Sequence, residues 1–219
     1  MQISEFMGAD FEPLARIVGD AWHYRHGEHS FWQGADELCD YLSHTDKGFV
    51  ARDDEDKLVG AILVRSPREQ DHNETMRMHW LSQRTRLSAM ATALGINARA
   101  DVLYLNEENE LMRQSSRQLG STGVGIVKLL ILAPEARGKG VGRALYERGL
   151  AWLCDHGART VRLVTDDECD WRFYEHLGMA RALEQEASDN PGFHQYVYEL
   201  SDAGGIGDEQ RIDGDTTRG

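Results

Sequence analysis

Hydrophobic and polar positions alternate with different periods along the chain. Phe11, Leu14, Ala15, Val18, Ala21 and Trp22 recur at helical spacing and predict a first helix over Phe11–Tyr24, after a short strand at Met1–Ser4. Gly34–Ser43, apolar at Leu38, Tyr41 and Leu42, predicts a second. Gly48–Arg52 and Lys57–Val64 flank the run Asp53-Asp54-Glu55-Asp56, the pattern of a β-hairpin with an acidic turn, and Pro67 ends it. Nothing between Ser66 and Gly120 has strand character. Met76, Met78, Trp80, Leu81, Leu87, Met90, Ala91 and Leu94 predict two helical pieces stopped at Gly95, and Val102–Gln118 predicts another helix. Val124–Leu132 is apolar with almost no alternation, as expected of a central strand buried on both faces. Gly138–Asp155 predicts a helix that lays Val141, Ala144, Leu145, Gly149 and Trp152 on the sheet. Thr160–Thr165 follows as a β-branched strand, and Cys169–His176 as a short helix with Gly178 at its C′ position. Arg181–Glu186 and Phe193–Leu200 complete the pattern as antiparallel strands.

Composition narrows the class. The 219 residues suffice for one domain with a sizeable core, and 41% hydrophobic with 28% charged residues is ordinary for a globular chain. Ser201–Gly219 carries five acids against two arginines and is expected to be a disordered acidic tail. No apolar run approaches a membrane span, and the N-terminus lacks the basic and apolar regions of a secretory signal. Cys39, Cys154 and Cys169 are odd in number and widely spaced, which supports neither a disulfide framework nor a zinc knuckle and fits a reducing, cytoplasmic location. A net charge of −13 argues against nucleic acid as a partner and is compatible with a cationic small molecule or peptide.

The densest chemistry lies in Ile126–Tyr146. An apolar strand leads through Pro134 into Arg137-Gly138-Lys139-Gly140-Val141-Gly142-Arg143, where a helix begins. The first amides of a helix lack intrahelical partners and carry partial positive charge, so glycines there let an anion approach the backbone while Arg137, Lys139 and Arg143 add charge. The segment predicts a pyrophosphate cradle. It is not a P-loop, because Lys139 precedes Gly140 rather than Ser or Thr. Nor is it a dinucleotide fingerprint: the glycines are spaced GxGxG, with no acid at the end of the next strand before Asp166.

Arg137-x-x-Gly140-x-Gly142 resembles the Q/R-x-x-G-x-G/A acetyl-coenzyme A signature of the GNAT N-acetyltransferase superfamily. Trp171–Met179 is similar to that family's FYEKLGF segment, and Phe49–Arg52 with Leu58–Arg65 to its preceding hairpin. The resemblance implies an α/β (α+β) fold over residues 1–200, with a mixed, mostly antiparallel sheet, flanking helices and a helical insertion at 66–120 between the third and fourth strands. It implies acetyl-CoA as cosubstrate, homodimers being common in the family, and no metal. Backbone groups of Leu130, Ile131 and Leu132 would pair with the pantetheine arm, residues Arg137, Gly138, Lys139, Gly140, Val141, Gly142 and Arg143 would hold the pyrophosphate, and Tyr174 would protonate the leaving thiolate.

Two features depart from the family. The fourth strand offers Ile126 and Lys128 where some members carry a glutamate base, and Asp167 stands where an asparagine often touches the coenzyme. Candidate bases are therefore His23, His26, His29, Glu107, Glu108, Glu110, Asp166 and Asp167. His23-x-x-His26-x-x-His29 also has the look of a metal tract, but no second ligand pair completes it. Trp22, Tyr24, Phe31 and Trp32 suggest an aromatic wall for a cationic acceptor, or part of the core. The expected activity is transfer of an acetyl group to a primary amine by direct attack. The alternatives are a non-catalytic acyl-CoA sensor on the same fold and an unrelated nucleotide-binding protein.

Overall fold

Each β-type run of the sequence enters one seven-stranded sheet. The strands are β1 (Gln2–Glu5), β2 (Lys47–Arg52), β3 (Leu58–Arg65), β4 (Val124–Leu132), β5 (Thr160–Asp166), β6 (Ala180–Glu186) and β7 (His194–Leu200), in the order β1-β2-β3-β4-β5-β7-β6. The computed structural model describes residues 1–23, 27, 29–96, 102–188 and 190–203. All neighbouring strands are antiparallel except β4 and β5, which are parallel. Residues 204–219, most of the tail expected to be disordered, lie outside the described part.

The helices are α1 (Phe11–Trp22), α2 (Ser30–Ser43), α3 (Glu74–Ala93), α4 (Val102–Leu119), α5 (Val141–Asp155) and α6 (Trp171–His176). Two apolar clusters share the sheet. On one face Leu145, Tyr146 and Leu153 of α5 meet Phe49, Ile62, Val127, Leu163 and Tyr198. On the other, Leu14 and Val18 of α1 and Leu38 and Leu42 of α2 meet Val50, Leu63, Leu129 and Ile131. β3 is buried along almost its whole length because it feeds both clusters.

β4 departs from the expected unbroken burial: its residues alternate between half-buried and buried. A bulge also switches which face its buried residues take. Leu63 pairs with Leu129 and Val64 with Val127, so Lys128 is the extra residue. Val127 points into the α5 cluster, whereas Leu129 belongs to the α1–α2 cluster and Lys128 turns to the same side, over the Tyr41 ring.

Between β3 and β4 the chain forms α3 and α4. The two pieces expected over Met76–Leu94 are one helix, since no breaker interrupts them; Asn73 caps its start by accepting from the Met76 N–H at 3.1 Å. Arg84 of α3 grips Asp36 and Asp40 of α2, and Trp80 stacks on Phe11 at 5.4 Å. α4 lies against β5, β6 and β7 on the α1–α2 face. Its C-terminal carbonyls, those of Leu119 and Gly120, accept from Arg162 of β5, a guanidinium only 2% exposed that also pairs with Glu199 at 2.6 Å.

Candidate active site

β4 and β5 touch only where Val124, Gly125 and Ile126 face Thr160, Val161 and Arg162. Beyond Ile126 the strands part, and β5 turns its other edge to β7. Among the described residues, one edge of β4 is thereby left without a strand partner from Val127 to Leu132. The Ala133 N–H donates to the Val59 carbonyl of β3 at 2.9 Å. By the alternation of an extended chain, Ile131 directs its peptide groups to β3, whereas Leu130 and Leu132 direct theirs into the opening. Unpaired N–H and C=O groups in such a gap are a template for an extended ligand.

The opening leads to the glycine loop. Gly138 and Gly140 have φ of 69° and 79°, a conformation other residues adopt only under strain. Gly140 caps α5, so the helix begins at Val141 rather than at Gly138. A Cβ built on either glycine would meet nothing within 4 Å, so both backbones face open space. The first amides of the 15-residue α5 have no intrahelical partner, and Arg137, Lys139 and Arg143 lie beside them, the arrangement that an anion would require. Gly142, by contrast, is hemmed in: a Cβ there would lie 3.2 Å from Leu132 and 3.4 Å from Phe173, which ties the start of α5 to the end of β4 and to α6. These features fit a coenzyme with a pyrophosphate and an extended amide-bearing arm.

Tyr174 sits on α6, held by the closing turn in which the Met179 N–H bonds the Tyr174 carbonyl at 3.1 Å. Its ring packs on Phe173 and Tyr198. Burial, and then the nearby Cys169 and Tyr146, push its phenol well above the ordinary value, so it keeps its proton at neutral pH. Close by, the buried Tyr146 hydroxyl has no hydrogen-bond partner among the described residues.

On the α1–α2 face a second, polar group gathers. Lys128 Nζ lies 3.5 Å from Glu108 Oε1 of α4, both side chains less than a tenth exposed. Tyr41 Oη lies 3.1 Å from Glu108 Oε2 and 3.4 Å from Glu37 Oε1, and Glu37 Oε2 meets His23 Nε2 at 2.7 Å. Farther along α4, the Tyr104 hydroxyl donates to Asp166 at the end of β5 at 2.6 Å. Beside Asp166, Gln195 of β7 accepts from Gln185, and its own amide nitrogen has no partner among the described residues. Glu108, His23 and Asp166 are among the predicted bases; Glu37, Tyr104 and Gln195 are not, and Tyr41 is expected only as an apolar position of its helix. The available signal was spacing: Glu37 with Tyr41 and Tyr104 with Glu108 are each four apart, two polar pairs on helical faces that otherwise look inward.

The remaining predicted bases lie elsewhere. Glu107 bonds Ser188, and Glu110 bonds Arg113 and Arg117 in solvent. Asp167 is held below the usual carboxylate range, first by the Tyr196 hydroxyl and then by His194. His29 immediately precedes α2, and His26 and Tyr24 lie outside the described residues. Among the described residues no three His, Cys, Asp or Glu side chains gather as a metal site would require. Trp22 leans on Tyr41, while Arg16 covers Phe31 at 4.9 Å. Among the described residues no helix is long and apolar enough to cross a membrane.

Burial pushes the thiols of Cys39 and Cys169 up to about 12, helped by Asp36 and by Asp166 respectively. At pH 8 roughly one in ten thousand of each would be thiolate. In the native protein, dithionitrobenzoate should therefore leave both unlabelled on the timescale in which a small free thiol reacts, and label both after denaturation. Prompt labelling of the native protein would show that the burial is wrong.

Comparison with known proteins agrees with this geometry. Residues 11–179 match the model of the acetyltransferase (GNAT) family. Among solved structures, an aminoglycoside 6′-N-acetyltransferase complexed with coenzyme A superposes with a TM-score of 0.55 at 15% identity, covering 92% of this chain and 97% of that one. The ribosomal-protein-S18-alanine N-acetyltransferase from Escherichia coli gives 0.53 at 12% identity, covering 92% and 93%. A GCN5-related N-acetyltransferase from Kribbella flavida gives 0.52 at 14% identity, covering 91% and 96%. No curated protein is similar to it in sequence. At these identities the structures testify to the fold alone, but the family model spans most of the chain: with its parted strands and glycine-capped helix, the protein belongs to the GNAT acetyltransferase family.

Proposed function

We propose that the protein moves an acetyl group from acetyl-CoA to a primary amine of a small molecule or peptide by direct attack through a tetrahedral intermediate. The observation that carries this reading is the unpaired edge of β4 running into the open, glycine-capped start of α5. Arg137–Arg143 hold the pyrophosphate. The peptide groups of Leu130 and Leu132, on either side of Ile131, pair with the pantetheine arm. A backbone N–H near Leu132 steadies the developing oxyanion, as a fixed donor does when charge appears in a dry site. Tyr174 gives its proton to the departing sulfur; a phenol kept protonated by burial is suited to that step. The acids on the α1–α2 face, Glu37, Glu108 and Asp166, together with the net charge of −13, favour a cationic acceptor. A reducing, cytoplasmic setting suits three unpaired cysteines.

Thermal shift tests the cosubstrate. A ligand at 100 times its dissociation constant stabilises by about 2.7 kcal/mol, which in a chain of this size raises the midpoint by about 5–10 °C. Acetyl-CoA and CoA should do so, and ATP and NAD should not; the reverse pattern would overturn the assignment. Tyr174→Phe should keep the acetyl-CoA shift and lose about 100-fold or more in turnover. An unchanged rate would remove Tyr174 from the reaction.

A further inference from the structure

A protonated amine cannot attack a carbonyl until a proton leaves its nitrogen. The described carboxylates near the parted strands differ in their freedom to take it. Asp166 already accepts from the Tyr104 hydroxyl at one oxygen and from the N–H groups of Glu168 and Cys169 at the other, which fills three of its roughly four acceptor sites. Asp167 is stabilised as an anion by Tyr196 and His194. Glu108 stands apart. It is buried and contacts Lys128, the bulge residue two positions before Leu130, whose peptide groups face the opening.

Proton counting supports a special role for this carboxyl. Tyr41 has one hydroxyl proton, yet its oxygen stands within hydrogen-bond distance of carboxyl oxygens of both Glu108 and Glu37. That proton goes to Glu108, the nearer acceptor at 3.1 Å, and the Glu37 oxygen at 3.4 Å can share it or take it over when Glu108 becomes protonated. A carboxyl poised between charged and neutral forms is what a base near neutral pH requires. The chain Glu108–Tyr41–Glu37–His23 then continues away from β4 to the end of α1.

We propose that Glu108, carried by the helix inserted between the third and fourth strands, is the base that takes the first proton from the acceptor ammonium, with Tyr41, Glu37 and His23 as the path by which that proton leaves. The inference rests on the acetyl-transfer reading above. In the step, the nitrogen adds to the thioester carbonyl, forming the C–N bond and a tetrahedral oxyanion, and collapse of that intermediate re-forms C=O and breaks the C–S bond. The nitrogen loses two protons, the first to Glu108 and the second as the intermediate collapses. Tyr174 supplies one proton to the sulfur and recovers one, so one proton reaches solvent per turnover. Burial raises the Glu108 carboxyl above its ordinary value. Lys128 and the Tyr41 hydroxyl pull it down, and Glu37 and Asp40 of α2 push it up; Tyr104 also faces it from α4. The group accepts protons only above its pKa, so turnover falls as pH drops through that raised value.

The test is the full chain with acetyl-CoA and four acceptors: kanamycin, spermidine, an alanine-terminated peptide and hydroxylamine, with released CoA thiol followed against the uncatalysed background. Glu108→Gln should lower kcat by about 100-fold or more with an amine that is charged at pH 7, leave KM for acetyl-CoA within about twofold, and abolish the acid limb of the pH profile. With hydroxylamine, largely unprotonated at pH 7, the loss should shrink to less than about tenfold, because no proton need be removed first. Glu108→Gln combined with Lys128→Met removes both charges and keeps the test open if the single variant, left with an unpaired lysine, fails to fold. An acid limb that persists, or an equal loss with hydroxylamine, would overturn the role of Glu108 alone. If the wild-type protein acetylates none of the four, the acetyl-transfer reading falls and this inference with it.

Discussion

Replacing Gly34 by valine should lower the thermal midpoint by about 8–16 °C, corresponding to roughly 4 kcal/mol or more for a chain of this size. α1 and α2 cross at Gly19 and Gly34. A Cβ on Gly34 would overlap the Ala15 carbonyl oxygen and the Gly19 amide nitrogen, and would sit 2.8 Å from the Gly19 Cα. These are backbone atoms in the middle of a helix, so no rotamer relieves the clash; the helices must separate. Separation would strip Leu14 and Val18 from Leu38 and Leu42, all almost fully buried. Gly8→Ala is the control, since a Cβ there meets nothing within 4 Å, and it should change stability by less than about 0.5 kcal/mol. Calorimetry on the two variants decides the matter: a Gly34→Val midpoint within about 2 °C of wild type would show that the helices do not cross as described.

Gly140→Val should cost at least about 100-fold in acetyl-CoA affinity, or about 2.7 kcal/mol, while the protein stays folded. Two effects add. A branched side chain at φ 79° is strained by about 1–3 kcal/mol, which tilts the first amides of α5 away from their present direction. Its methyl groups would also occupy the open space that the proposed pyrophosphate would enter. Lys139→Ala removes only one exposed charge and should cost roughly tenfold. Titration calorimetry with acetyl-CoA measures both. Affinity within about threefold of wild type in Gly140→Val would mean that the anion lies elsewhere.

How much of this was legible in the sequence depended on the range of the forces involved. Strands β2, β3 and β5–β7 and helices α1, α5 and α6 follow from local period, because one buried face per element writes itself directly into the order of residues. The glycine-capped start of α5 was legible too, since its glycines, its charges and the first helical residues are contiguous. For β4 the facing of each residue depends on a register step against β3, and nothing in VGIVKLLIL marks Lys128 as the residue that bulges. The split of α3 was expected from gaps in its apolar pattern, but a helix with few buried residues can continue without them when Arg84 and Trp80 anchor it. Spacing marked Tyr104 with Glu108 and Glu37 with Tyr41 as polar pairs on their own helices, but the meeting of Glu108 with Lys128 and Tyr41 was out of reach, because it depends on how α4 lies across the sheet.

The parallel contact between β4 and β5 involves only three residue pairs. A sheet parted in this way is mechanically two half-sheets, and other parts of the chain must hold them in register. α4 does this. It is buttoned to β5 by Arg162 and Tyr104, to the β6–β7 turn by Glu107, and to β4 and α2 through Glu108. The inserted segment thus acts as a clasp across the seam, and the width of the opening between the half-sheets becomes a property of a helix that belongs to neither.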